Sequence, residues 1–520
     1  MENTTPRTPF NFRPMCFWAF FVGLTIVACF IAIEVGLWVL LVWFAILCGG
    51  LGVQFGKNWR ELSRAALFPA VALTLCVFAM VSFFVTHNHF TNQPYLDGHG
   101  EVLGIVRKTR INAQGTAVVT LSSITFKGER VPGRIRLNVP LVTDDVLSNT
   151  LRVGNVISTH VNLRPTDASS FNINNSFRYQ GTVLQGLLRF ERRSNDLRSI
   201  VLRWTHNFFH RHMSDTNAEL MYSMLFGDRS SLDEEVRGNF ALSGMAHVLA
   251  VSGMHVGLIV AIFVFLLNFL KVPRKWQFFI ILALLGLYVF LADFRYSILR
   301  ASIMFTVLLF NRLFLRRVDL LSSISFSAII ILVLFPFGLD SLSFQLSFAC
   351  LLGIALFYRP VYDWHMRHLP KWRGKFGQSL NRGFSAAMAL NIVTNIMIFP
   401  FLLGTFGNFP LISFVSNILL LPIITLSFQA CVVALLTYVG YPLLWIVDRA
   451  IWFVLWASDW MGQLSWQRLD IVQHGFWYLF LLFGLVLLTR FVFFKKRIHR
   501  YLAVGTCFAI YTVSLVLQNI

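Results

Sequence analysis

The stretch GMAHVLAVSGMHVG, Gly244 to Gly257, decides the fold class. It opens an apolar run at about 243 to 270, and a helix of about 20 apolar residues is enough to cross a hydrocarbon core. Yet the run carries His247, His255 and the pair Ser252 and Gly253. Polar groups at that depth are costly and turn toward a cavity or a partner helix. The small residues Ala246, Ala250, Gly253 and Gly257 form a stripe that lets another backbone approach closely. Two readings follow: a tight packing seam with hydrogen-bonded histidines, or a broken helix lining a polar passage. On a regular helix the two histidines lie about 80° apart. A helical metal pair favours spacings such as i and i+4 instead.

Outward from this stretch, apolar runs lie at about 15–33, 36–55 and 65–85, then a polar region extends from Thr86 to Phe240. Beyond it, runs recur at about 277–292, 299–315, 320–337, 342–358, 385–404, 410–437, 441–462, 475–492 and 500–518. The pattern predicts a polytopic α-helical membrane protein of about 10 to 13 spans. Composition agrees: 56% of the 520 residues are hydrophobic and 13% charged, where a soluble protein carries about 25% charged residues. The mean hydropathy is +0.65. A soluble multidomain enzyme is excluded. The first run is followed too closely by the second, with no small-residue cleavage site between them, to read as a cleaved signal peptide.

The net charge of +20 invites a nucleic-acid reading, but Lys and Arg also gather on the cytoplasmic side of membrane proteins. Clusters at Arg7 and Arg13, at Lys57, Arg60 and Arg64, at Lys271, Arg274 and Lys275, at Arg312, Arg316 and Arg317, between Arg359 and Arg382, and between Arg490 and Arg500 all fall on one side if the amino terminus is cytoplasmic. They hold half of the 44 basic residues. The region 86–240 is then external, with 18 basic and 14 acidic residues, a weak electrostatic case for DNA binding. All seven cysteines sit in apolar runs, so neither a disulfide framework nor a CxxC metal site is expected.

Within the external region, EVLGIVRKTR, TAVVTLSSITF, GRIRLNV and VGNVISTHV read as short strands separated by turn residues. Four or five such strands suit a small closed barrel of the OB type. Arg134 and Arg136 share one strand face, and with Arg107 they are candidate DNA contacts. Stacking platforms are scarce, because Phe126 is the one aromatic residue between Leu96 and Ser170. A spacer or docking role for the barrel is the alternative. Leu197, Val201, Trp204 and Phe208 then recur at helical spacing among arginines, the pattern of a helix on a membrane surface. The spacing of Ser231 to Glu234 marks a capping box for a second short helix.

Other polar groups in or beside apolar runs are Asp293, Arg295, Arg300, Gln345, Asn391, Asn395, Asn417, Asp448 and Arg449. Enzyme motifs fail on inspection. Gly56 and Lys57 lack the Ser/Thr and upstream glycine of a phosphate-binding loop, and no HExxH or GxSxG occurs. His87-Asn88-His89 and His210-Arg211-His212 imitate a metal-hydrolase motif without its continuation and read as interfacial histidines. No enzymatic activity, cofactor or metal site is expected.

FALSGMAHVLAVSGMHVGL (Phe240–Leu258), YSILRASIM (Tyr296–Met304), DSLSFQLSFACLLGIAL (Asp340–Leu356) and FPFLLGTFGNFPLISFVSNILLLPI (Phe399–Ile423), in this order, resemble the ComEC-type competence membrane proteins. The amino-terminal part is looser, with Asn174, Asn175 and Ser176 in place of the family's Asn-Pro-Gly turn. The resemblance implies an inner-membrane channel that takes up single-stranded DNA during natural transformation. It implies membrane spans in 1–85, an extracytoplasmic OB-like domain in 86–180, interfacial helices in 181–240 and a channel domain in 241–520. By position within the matched motifs, His247, Ser252, Gly253, His255, Arg300, Gln345, Asn391 and Asn417 are the candidate channel-lining residues. The expected partners are single-stranded DNA, membrane lipid, a separate cytoplasmic motor, DNA-receptor proteins and further copies of the chain. The chain stops at Ile520 without the metallo-β-lactamase-like domain that many members carry, so nuclease activity is not expected of it. The alternative is a transporter or exporter of another polar cargo; a membrane metalloenzyme using the histidines is a third reading.

Overall fold

The computed structural model describes residues 22–29, 32, 62–91, 98–111, 116–131, 133–140, 150–151, 154–167, 169, 172–173, 177–228, 232–249, 251–314, 320–368, 374–406, 408–464 and 468–470. The apolar runs expected at 36–55, 475–492 and 500–518, and most of that at 15–33, lie outside the described residues. The chain divides into two compact units. One takes its residues from Met1–Leu232, Val251–Phe344 and Cys431–Trp445, the other from Asp233–Ala250, Gln345–Ala430 and Ile446–Ile520.

The first unit begins, among the described elements, with helix α1 (Leu62–Thr91), which leads into a β domain. Its strands are β1 (Gly98–Ile111), β2 (Ala117–Phe126), β3 (Glu129–Val131), β4 (Arg134–Val139), β5 (Asn155–Pro165) and β6 (Phe177–Arg193). Period-2 alternation builds it: in β4, Ile135, Leu137 and Val139 are buried while Arg134 and Arg136 sit half-buried on the other face. β1 pairs antiparallel with β2 and β5, β2 with β4, and β5 with β6. A parallel β4–β6 pair closes the five long strands into a barrel. Val102, Val119, Leu121, Phe126, Leu137 and Tyr179 lie in its core. β6 runs to Arg193, beyond the boundary expected at 180, because Leu188, Arg189, Phe190, Arg192 and Arg193 go on pairing with β5.

An αα-hairpin follows, α2 (Leu197–His210) and α3 (Asp215–Phe226). The apolar stripe expected from Leu197 to Phe208 is displaced. Leu197, Ile200 and Trp204 are exposed, whereas Phe208 is buried. The exposed trio at i, i+3 and i+7 is the face available to lipid.

Helices α4 (Glu234–Leu242) and α5 (Ala246–Leu249) belong to the second unit. α4 starts after Asp233, and Ser231 of the expected capping box lies outside the described residues. The first unit resumes with α6 (Gly253–Phe269), α7 (Arg274–Leu291), α8 (Tyr296–Phe314) and α9 (Leu320–Leu334). α8 packs on α6, α7 and α9, and α9 on α1. The remaining helices are α10 (Leu342–His368), α11 (Gly374–Phe406), α12 (Ser413–Leu419), α13 (Leu421–Thr437) and α14 (Leu443–Gly462). A short pair, β7 (Asn408–Pro410) with β8 (Arg468–Asp470), completes the second unit's described part.

The described residues do not confirm the expected 10 to 13 spans. Among the described residues, Arg274–Leu291, Leu342–His368 and Phe376–Phe399 are long and apolar enough to cross a membrane; α12 and α13, bent by 43°, make a fourth if taken together. The runs at 299–315 and 320–337 form shorter apolar helices, and the run at 243–270 is interrupted. Large exposed side chains on α7 (Trp276, Phe279, Leu287) and on α14 (Trp452, Trp456, Trp460) are of the kind that face hydrocarbon.

Candidate functional site

The run from 243 to 270 holds two helices that meet at a break. α5 ends at Leu249, Val251 and Ser252 are non-helical, and α6 starts at Gly253. An extended backbone in an apolar setting must find partners for its polar groups. Here Ser297 Oγ, at the start of α8, donates to Val251 O (2.6 Å). The Ser252 N–H donates to His255 Nδ1 (3.1 Å), and Ser252 Oγ lies 3.2 Å from the same nitrogen. His255 is fully buried. Its Nδ1 accepts from the backbone, so in the neutral ring the proton sits on Nε2. The 80° separation that holds for a regular helix therefore does not apply to His247 and His255, because no single helix carries both.

Small residues let α8 approach the start of α6. A Cβ on Gly253 would touch Ala301 Cβ at 3.6 Å, and one on Gly257 would strike the Phe305 ring at 2.8 Å. On α8, Arg300 is buried, donates from Nη2 to Ser343 Oγ (2.9 Å), and lies 6.0 Å from the centroid of the Phe344 ring. The first unit thus brings Ser252, Gly253, His255 and Arg300 to one end of the α6–α8 pair.

The other four candidates belong to the second unit. His247 is exposed and its Nδ1 lies 3.2 Å from Gly244 O. Gln345 is buried near the start of α10. Asn391 and Asn417 meet: Asn417 Nδ2 donates to Asn391 Oδ1 (3.3 Å), and Asn391 Nδ2 donates to Phe414 O (2.7 Å). Asn395, which was not placed on the expected path, joins Asn391 to Ser413. It donates to Asn391 O (3.0 Å) and Oδ1 (2.5 Å), and its Oδ1 accepts from Ser413 Oγ (3.1 Å). Ser416 Oγ donates to Ser243 O (2.6 Å), and Ser243 Oγ lies 2.9 Å from Ser458 Oγ. The sequence signal was present, since Asn391 and Asn395 share a helix face at i and i+4.

The three candidate arginines of the barrel are each engaged by a partner within the first unit. Arg107 donates to Ser122 Oγ (2.5 Å) and pairs with Asp196 (3.4 Å). Arg134 pairs with Asp293 Oδ2 (3.1 Å) and also reaches the Asp293 carbonyl (3.3 Å). Arg136 stacks over the Phe177 ring at 4.4 Å. Asp293 and Phe294 both have positive φ (60° and 52°) in the turn between α7 and α8, a conformation costing about 1–2 kcal/mol per residue. Arg134 at Asp293, and Arg198 Nε donating to Leu291 O (2.9 Å), hold that turn against the barrel and hairpin.

Asp196 is the node between barrel and hairpin. It caps α2, accepting from the Ser199 N–H (3.3 Å), from Ser199 Oγ (2.8 Å) and from Ser194 Oγ, while pairing with Arg107. Burial pushes its carboxyl up, but the bonds from Ser194 and Ser199 and the charge of Arg107 together outweigh it and hold the pKa at about 2, from 3.8. Loss of the cap in Asp196→Ala is expected to cost about 1 kcal/mol. Because the folded pKa is depressed, the carboxylate's contribution is complete above about 3.8 and is lost as pH falls toward about 2. The wild-type and Asp196→Ala thermal midpoints should therefore converge on acidification across that window; a gap that stays constant would show that the charge plays no part.

On the hairpin itself, Glu219 Oε1 lies 2.8 Å from His206 Nε2 and 3.0 Å from His210 Nε2. Burial raises the Glu219 carboxyl, yet the two histidines more than offset this and keep it below its ordinary range.

The model of one protein family, described as Competence protein, matches residues 224–496. A segment of 206 residues, 40% of the chain, is 28% identical to ComE operon protein 3 of Bacillus subtilis (strain 168) and covers 24% of it. A second, of 138 residues or 26% of the chain, is 35% identical to an uncharacterised protein of Aquifex aeolicus (strain VF5) and covers 32% of it. The matches thus span about a quarter and about a third of these relatives' lengths. No solved structure matches the chain.

Proposed function

The chain belongs to the Competence protein family, and from that premise we propose that it is a multi-pass channel of the bacterial cytoplasmic membrane that passes single-stranded DNA inward during natural transformation. In this reading the amino terminus is cytoplasmic and the barrel lies outside. The barrel is of the OB type, its parallel β4–β6 closure and antiparallel remainder being the supporting features. The stacking surface stays as sparse as the sequence suggests, because Phe177 and Tyr179 on β6 are both buried and Phe177 carries Arg136. We therefore assign the barrel a positioning role, with Arg134 clamping the α7–α8 turn.

The observation that carries the proposal is the broken run at Val251–Ser252, with buried His255 beside it and buried Arg300 on the neighbouring helix. Interrupted helices persist at membrane depth where they are enclosed by protein or border a water-filled cavity. A cation suits passing phosphates, and the amides of Asn391 and Asn417 suit base edges or backbone oxygens. Motive force is external to this mechanism and comes from a separate cytoplasmic motor, with DNA-receptor proteins delivering the strand. Disruption of the gene in a transformable host is expected to reduce transformants to background while DNA still accumulates outside the cytoplasmic membrane. Normal transformation in the disrupted strain would leave the chain as a carrier of another polar cargo.

A further inference from the structure

The metal-pair spacing that His247 and His255 lack is present elsewhere, at His206 and His210 on α2. We propose that His206 Nε2, His210 Nε2 and Glu219 Oε1 form a binding site for one divalent transition-metal ion of the zinc class, pinning α2 to α3. The three ligand atoms lie within 4.8 Å of one another. The nitrogens stand 2.8 Å and 3.0 Å from the carboxylate oxygen. Ligands about 2.0–2.1 Å from a tetrahedral zinc are about 3.3 Å apart, so the two nitrogen–carboxylate edges need open by only a few tenths of an ångström to admit the ion. Two imidazoles and one carboxylate form the donor set of borderline cations, and three protein ligands leave a fourth position for water.

A second observation points the same way. His210 Nδ1 lies 2.8 Å from Asp215 Oδ1, the outer carboxylate that commonly orients a metal-bound histidine. A neutral imidazole has one N–H. If Asp215 takes it, Nε2 turns a bare lone pair toward the Glu219 oxygen, and such a contact is attractive only with a cation or a proton between them. The side chains of His206, His210 and Glu219 are 19%, 23% and 13% exposed, which gives an ion a route in from solvent. The rings of His206 and His210 stack with centroids 4.2 Å apart, so both nitrogens are presented on one side of α2.

The test uses the full chain in detergent, without a polyhistidine tag, titrated with Co2+ as a visible probe and then with Zn2+ as competitor. We expect one equivalent of tetrahedral Co2+ with visible d–d bands, displaced by Zn2+, and absent from Glu219→Gln and from His206→Asn. Asp215→Asn should weaken binding about 10- to 100-fold while leaving the bands in place. No stoichiometric metal in the wild type, as when His210 is simply an imidazolium held between two carboxylates, overturns the proposal. So do bands that persist in both ligand variants. Thermal unfolding of the wild type provides a check that needs no variant: Zn2+ should raise the midpoint and EDTA should reverse the rise, and an unchanged midpoint contradicts the site. None of these outcomes depends on the identity of the translocated cargo.

Discussion

Gly244→Val is expected to cost about 2 to 5 kcal/mol, a large share of the roughly 5–15 kcal/mol by which an ordinary chain is stable. Two independent effects add. Gly244 has φ of +76°, where a branched side chain is strained. A Cβ there would also collide with Ser413 Cβ and come within 3.0 Å of Ser413 Cα and 3.2 Å of Pro410 Cγ. Backbone cannot yield as a flexible side chain does, so α12 would have to move, and with it Ser413 and Ser416, which bond Asn395 and Ser243. Gly286→Ala is the control. Its Cβ meets nothing within 4 Å in the middle of α7, and loss of chain entropy in the unfolded state should stabilise by about 0.4–1 kcal/mol. Thermal midpoints in detergent distinguish the two, and a Gly244→Val protein that melts with the wild type would contradict the close approach.

Arg300→Met separates function from packing. Methionine keeps the length and apolar stem of the buried side chain, so the variant should fold with a midpoint close to that of the wild type. If the guanidinium meets phosphates in transit, its loss should slow transfer on the order of 100-fold, equivalent to about 2.7 kcal/mol in barrier. A purely structural Arg300 predicts the reverse, with stability altered and transfer per folded molecule retained.

The barrel was legible in the sequence because a half-buried strand declares itself residue by residue, as Arg134-Ile135-Arg136-Leu137 does. Its last strand, Phe177–Arg193, was not among the four strands read from the sequence, and the domain boundary at 180 falls inside it. Pairing of Arg189, Arg192 and Arg193 with β5 settles it as strand, and that information is non-local. The break beside Ser252 and Gly253 was visible as a polar interruption. Its geometry was not, since the capping of Val251 O by Ser297 comes from residues 46 positions away. The same limit hid the roles of Arg107 and Arg134, whose acidic partners lie 89 and 159 positions distant. Hydropathy marked the apolar runs but not their helical lengths: the run at 320–337 forms a helix of 15 residues, Leu320–Leu334, shorter than the span its hydropathy suggested. The His206 and His210 pair needed Glu219 from the adjoining helix before its i, i+4 spacing gained meaning.

The most direct test of the central claim is transport of labelled single-stranded DNA into sealed proteoliposomes under an applied driving force, with wild type and Arg300→Met reconstituted at equal density. The account predicts entry of DNA that becomes resistant to added nuclease in wild-type vesicles and falls on the order of 100-fold in Arg300→Met. Equal protected DNA in wild-type, Arg300→Met and protein-free vesicles would contradict it.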